Sequence, residues 1–375
     1  MKTFTRLIPR LVDLAIAIQQ IPAPTFQERQ RAEYIQQRFI EEALQDVHID
    51  QIGNVFARLP GAGQKSPLVI TAHSDTVFPT PTDLQVNREA DKVHGPGIGD
   101  NSLGVAGMFG ALWALQESIT EGTEPVLLPG DIWFVSNVGE EGLGNLRGMY
   151  AVIERFGSDV LAYLVLEGMA LGQVYHRALG VRRYRITVRT QGGHSWVDYG
   201  RPSAIHELAS LTNKITAIRL PKQPRTTTNI GVIHGGTSIN TIASNAYLEL
   251  DLRSEGDAEL SRLTDQVQRL VKAGNRSDVN ITSELIGERP AGFIPADHPL
   301  IRLAARSLIE QGIQPVLSVG STDANVPLSL GLPAVCLGLT TGSGAHTLEE
   351  YISIPPLSKG LASLVSLIES AFREL

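Results

Sequence analysis

A single cysteine, Cys336, occurs in 375 residues, so no intrachain disulfide can staple the fold, and the composition fits a reducing compartment. It sits in the apolar run 334–337, which reads as a buried structural thiol rather than a nucleophile. Long hydrophobic runs are missing too. Nothing approaches the roughly 18 consecutive apolar residues of a membrane helix, so no membrane partner is expected. Positive charge is in deficit, with 32 Lys+Arg against 39 Asp+Glu and a net charge of -7. Without a basic surface to neutralise phosphates, nucleic acid is not an expected partner either. Lys2, Arg6 and Arg10 faintly imitate a secretion signal. Asp13 interrupts the apolar stretch that follows, however, and Leu11, Leu14 and Ile18 recur at helical spacing. The expected location is the cytoplasm. There is no Gly-x-Ser-x-Gly, no His-Glu-x-x-His and no Gly-Lys-Ser/Thr, which removes the serine elbow, the zincin helix and the phosphate loop.

What is present is a globular balance, 42% hydrophobic and 19% charged, arranged as apolar strands between amphipathic helices. Residues 5–20 read as a helix, and Thr25 with Glu28 forms a capping-box pattern for a second helix running to about Leu44. The runs 68–71, 132–137, 162–166 and 334–339 suit central strands covered on both faces, with helices at 104–116 and 356–372. The middle of the chain reads differently. Strand 184–190, helix 204–219, strands 227–234 and 246–253, a helix through Leu260, Leu263, Val267 and Leu270, and strand 279–286 follow in the order βαββαβ. The expectation is a larger α/β domain with a mixed central sheet, residues 1–179 and 291–375, interrupted by a smaller ferredoxin-like domain, residues 180–290.

Chemistry-bearing residues cluster where those strands end. His73 and Asp75 follow the first run, Glu140 and Glu141 the second, Glu167 caps the third, and His346 lies in a glycine-rich loop after the fourth. Open α/β sheets build their sites outside the carboxyl ends of strands. Each element alone is ambiguous. His73-Ser74-Asp75 is a metal ligand with an orienting carboxylate, or a satisfied polar pair. Glu140-Glu141 is a ligand beside a proton acceptor, or a solvated surface pair. Asp100, within His94-Gly95-Pro96-Gly97-Ile98-Gly99-Asp100-Asn101, is a site residue or a turn aspartate. Together, Asp100, Glu141 and Glu167 on one edge would repel one another and raise their pKa values. Two divalent cations would relieve that conflict and employ both histidines. A mixed nitrogen and oxygen shell suits zinc, with manganese or cobalt as alternatives. The glycine loop has the wrong spacing for a dinucleotide fingerprint, which argues against an oxidoreductase. His48, His94, His176, His206, His234 and His298 read as surface or loop residues.

The sequence resembles the co-catalytic di-zinc metallopeptidases that include aminoacylase, glutamate carboxypeptidase, peptidase T and succinyl-diaminopimelate desuccinylase. The resemblance rests on Thr71-Ala72-His73-Ser74-Asp75, Gly97-Ile98-Gly99-Asp100-Asn101, Gly139-Glu140-Glu141-Gly142, Leu166-Glu167-Gly168, Gly192-Gly193-His194-Ser195, Gly235-Gly236-Thr237-Ser238-Ile239-Asn240, Asp251-Leu252-Arg253 and His346-Thr347-Leu348-Glu349-Glu350. It implies His73 and Glu167 as ligands of one metal, Glu141 and His346 as ligands of the other, and Asp100 as a bridge. It further implies Asp75 as the support of His73 and Glu140 as general base. His194 is implied to reach across a homodimer interface made by residues 180–290, which act as a dimerisation or lid domain. Asn240 and Arg253 are implied to grip a substrate carboxylate from the same side. Asn101 stands where many members have a second aspartate, and Glu167 where some have aspartate. The expected activity is hydrolysis of amide bonds in small peptides, of the di- or tripeptidase or carboxypeptidase type. The alternatives are an N-acyl amino-acid deacylase and a non-catalytic metal- or peptide-binding relative.

Overall fold

The computed structural model describes residues 2–120 and 128–375 and divides into two compact units, Met1–Ala178 with Phe293–Leu375, and Leu179–Gly292. In the first unit the apolar runs form one mixed sheet. Its order from one edge is Gln45–Ile49, Val55–Leu59, Ile132–Asn137, Leu68–His73, Ala162–Glu167, Ala334–Gly338 and Gln173–Ala178, with Val316–Gly320 paired to the last. The four central strands, Ile132–Asn137 through Ala334–Gly338, run parallel. Leu68–His73 is buried at every position, which is why Leu68, Val69 and Ile70 are apolar in succession instead of alternating with polar residues. Helices Lys2–Gln19, Leu103–Thr120 and Leu357–Glu374 pack against one another over the sheet. Among the described residues no helix is long and apolar enough to cross a membrane.

Two local expectations are corrected. The second helix spans Arg29–Glu41 and carries no capping box. The Thr25 hydroxyl instead donates to Asp75 Oδ2 at 2.8 Å, and Glu28 pairs with Arg147 at 2.6 Å. The helix begins later than the pattern places it, with Glu28 rather than Thr25 at its N-cap. His176 is not a surface residue: it is buried in the strand Gln173–Ala178, with Nδ1 2.8 Å from the carbonyl oxygen of Ile294.

The second unit has the order strand Gly180–Thr190, helix Ala204–Thr216, strands Thr226–Gly235 and Asn245–Ser254, helix Asp257–Gly274 and strand Val279–Arg289. All neighbouring strands are antiparallel, with Asn245–Ser254 and Gly180–Thr190 in the centre. This is the βαββαβ ferredoxin-like arrangement. Ala246, Leu248, Leu250 and Leu252 alternate inward from one central strand and meet Leu208, Leu211, Leu263 and Val267 of the helices. The period-2 pattern and the helical stripe thus close a separate small core.

Candidate metal centre

The parallel register brings the carboxyl ends of the four central strands to one edge of the sheet. His73 ends one of them and Glu167 ends the next. Glu140 and Glu141 follow Ile132–Asn137, and His346 lies in the loop beyond Ala334–Gly338. Asp100 reaches the same place from the loop after the short strand Lys92–His94. The two Asp100 oxygens part company: Oδ1 is 3.1 Å from His73 Nε2, and Oδ2 is 3.1 Å from His346 Nε2. His73 Nε2 is also 3.7 Å from Glu167 Oε2, and His346 Nε2 is 3.1 Å from Glu141 Oε1. The donor atoms of His73, Asp100 and Glu167 lie within 4.8 Å of one another, as do those of Asp100, Glu141 and His346. His73, Glu140 and Glu141 make a third such group.

Each side chain has a local reason to be where it is. Asp75 is buried and accepts the backbone N–H groups of Glu140 and Glu141, both at 3.0 Å, besides the Thr25 hydroxyl. His73 Nδ1 faces the Asp75 carbonyl oxygen at 3.1 Å and its carboxylate at 3.5 Å. Asp75 therefore orients the imidazole and also the loop that carries both glutamates. Gly139, at φ 71°, begins that loop in a conformation glycine adopts without strain, and a Cβ there would meet the Arg147 side chain, 2.5 Å from Nε. Asn101 brackets Glu167: its Nδ2 donates to the Leu166 carbonyl and its Oδ1 accepts from the Gly168 amide, each at 2.8 Å. An aspartate at this position could accept the second bond but not donate the first.

Electrostatics shows why this cluster calls for cations. Burial and the negative charges of Asp100 and Asp323 outweigh His73 and push Glu167 up to about 7. Asp100 is held below the usual carboxylate range, because the two imidazoles overcome its burial. Burial disfavours charge on His73, but Asp100, Asp75 and Glu167 raise it well above an ordinary imidazole. His346, facing Asp100 and Glu141, is carried up to about 10. Imidazole nitrogen with carboxylate oxygen, and one carboxylate shared between two groups, is a donor set that two divalent cations fit.

Three buried groups in this region were not identified from the sequence. Arg31 is 1% exposed and donates to the carbonyl oxygens of Gln19, Ile21 and Ser74, tying the end of the first helix to the segment between His73 and Asp75. It falls four residues before Ile35 and eight before Phe39, so a charge on the helix's apolar stripe was the available signal. Asp323 accepts from Asn137 Nδ2 at 2.7 Å. Glu350, wholly buried, is pushed up to about 7 by burial, partly offset by the backbone amides it accepts.

In the second unit His194 is exposed, and its Nδ1 accepts the amides of Trp196 and Val197 at 3.2 and 3.3 Å. A ring nitrogen that accepts leaves the proton of the neutral imidazole on Nε2. Asn240 lies beside it, since its carbonyl oxygen accepts the Ser195 amide at 3.0 Å. Arg253 does not join them. It pairs with Val181 at one end of the central strands, whereas Gly193–His194 follows the opposite end beyond Thr190. At ~3.3 Å per residue this separation is roughly 30 Å. Within a single chain the length of the sheet thus keeps Asn240 and Arg253 apart.

The sequence matches peptidase family M20/M25/M40 over residues 69–370. An uncharacterized protein of Bacillus subtilis (strain 168) is 26% identical over 96% of this chain and 98% of its own length. A tripeptidase from Staphylococcus aureus subsp. aureus Mu50 has the same fold, with TM-score 0.80 and 22% identity over 98% of this chain and 99% of that one. A dinuclear metal-binding M20 peptidase from Bacillus subtilis superposes with TM-score 0.73 and 17% identity, covering all of both chains.

Proposed function

The chain belongs to peptidase family M20/M25/M40 and is a hydrolase acting on peptide bonds; from this membership we propose that it is a two-cation exopeptidase of di- and tripeptides. The observation that carries the reading is Asp100, whose two oxygens each face one imidazole at 3.1 Å. His73, Asp100 and Glu167 would hold one cation, and Asp100, Glu141 and His346 would hold the other. Zinc suits this nitrogen and oxygen set, and manganese and cobalt are the metals to test beside it. The dinuclear centre named for one structural neighbour and the tripeptide substrate named for another support the same direction.

When bound, the cations supply Lewis acidity that lowers the pKa of a water and polarises the scissile carbonyl. The Glu140 carboxylate accepts the proton of the attacking water and returns it to the departing amine. Asp75 keeps that glutamate loop and the His73 ring in place. His194 donates its Nε2–H to the developing oxyanion. Arg253 offers a planar fork to the substrate's free carboxylate. Because His194 and Asn240 lie at the opposite end of their sheet from Arg253, a site that uses all three draws them from two chains. We assign Leu179–Gly292 the role of dimerisation domain, with His194 and Asn240 completing the partner's site. The exposed Trp196, Tyr199 and Ile239 beside His194 suit burial in such an interface.

The test is an initial-rate screen of dipeptides, tripeptides and N-acyl amino acids with zinc, manganese and cobalt. The expected result is cleavage of short peptides with a free carboxylate. Hydrolysis of N-acyl amino acids alone would overturn the peptide assignment, and no hydrolysis with any metal would overturn the enzymatic one.

A further inference from the structure

Glu350 is fully buried, and the way its charge is accommodated is specific. Oε2 accepts the Gly97 amide at 2.8 Å, and Oε1 accepts the amides of Gly99 and Asp100 at 2.7 and 2.8 Å. Its own carbonyl oxygen accepts the Gly95 amide at 2.9 Å. Four amides of the loop 95–100 thus converge on one residue 250 positions beyond Asp100 in sequence. Backbone N–H groups gathered in this way form an anion-binding concavity. Here the anion is internal, so the glycines that imitate a dinucleotide loop serve a carboxylate of the same chain. A buried carboxylate is costly unless hydrogen-bonded, and these donors meet that cost.

The position of this clasp matters more than its stability. Asp100, the residue whose two oxygens divide between two imidazoles, contributes one of the donating amides. On the other side, Glu350 is four residues after His346, which sits at φ 65° in the loop that brings its ring to Asp100. Immediately beyond it, Tyr351–Ser353 pairs with Lys92–His94 in the register Tyr351 to His94, which fixes the two segments against each other. One side chain therefore fastens the loop of the shared carboxylate to the loop of an exposed histidine.

We propose that Glu350 is a positioning residue that sets Asp100 and His346 in register so that both reach one cation. The proposal rests on the reading of Asp100 and His346 as ligands. Glu350→Gln preserves shape but replaces one oxygen with an NH2 group. Whichever way the amide turns, an N–H is left facing an N–H, at Gly97 or at Gly99 and Asp100.

The experiment titrates metal-free wild type, Glu350→Gln and Glu350→Asp with zinc by calorimetry, after circular dichroism confirms the fold. The expected result is two equivalents in wild type. In Glu350→Gln the second equivalent should bind ~10–100-fold more weakly, the range for residues that orient ligands. Glu350→Asp, which restores the charge, should recover part of the loss. A lowered melting temperature with wild-type affinity for both equivalents would reduce Glu350 to a structural role and overturn the proposal alone. Wild type that binds no cation would overturn the functional reading, and the proposal with it. If Glu350→Gln does not fold, hydrogen exchange on metal-free wild type decides. Amides of Gly97, Gly99 and Asp100 as protected as the strand Leu68–His73 support the clasp, and rapid exchange there overturns it.

Discussion

Around Asp100, functional side chains are held by second partners: Asp75 by three donors, Asn101 by two backbone groups, Glu350 by the amides of the neighbouring loop. His194 and Asn240 in the other unit stand exposed, beside a Trp196 that is 86% and an Ile239 that is 102% exposed. The difference is one of construction. A cluster of buried carboxylates must be fixed precisely, because a misplaced charge in a dry site is costly. A donor that acts across an interface needs only local order, and it gains the rest from its partner. The first region is prebuilt within the chain; in the proposed dimer the partner would complete the second.

The comparison breaks most severely if the prebuilt cluster needs no cation. Chelation should abolish turnover and added divalent metal should restore it; full activity in demonstrably metal-free protein would remove the basis of the account. Next, Glu140→Gln should keep both cations while turnover falls by ~10²-fold or more, the scale of general-base loss. Its neighbour's variant, Glu141→Ala, should lose metal, and equal metal loss in both would show that the roles are wrongly divided. The exposed region is probed by His194→Ala, expected to cost ~10²–10³ in rate as an oxyanion donor does. Mixing it with Glu140→Gln should restore activity, since one site of each mixed dimer then has both groups intact. Mixed dimers that form but stay inactive would place His194 in its own chain's site or in none. The smallest effect is on stability. Asn101→Asp leaves the Leu166 carbonyl without its donor, and thermal unfolding should show a loss of ~1–3 kcal/mol. An unchanged transition would mean that the bracket around Glu167 contributes little.

Much of the first region was legible because its strands are buried on both faces and so read as apolar runs with polar residues at their ends. The βαββαβ order was legible from alternation in strands such as Asn245–Ser254 and from helical stripes. What escaped were tertiary choices between equivalent partners. Thr25 has the sequence of a helix cap, but its hydroxyl goes to Asp75, 50 residues away. Glu350 looks like one of a surface glutamate pair, because its four donors lie some 250 residues upstream. The separation of Asn240 from Arg253 is a matter of strand register, which motif order along the chain does not encode. Arg31 left a trace, as a charge on a buried stripe, and that trace was readable.

The most direct test of the central claim is the metal stoichiometry of Asp100→Ala beside wild type, measured by elemental analysis after equilibration with a small excess of zinc and removal of unbound metal. A carboxylate shared by two cations predicts two equivalents per chain in wild type and loss of both in the variant, with the fold retained by circular dichroism. Two equivalents still bound to Asp100→Ala at wild-type affinity would contradict the claim.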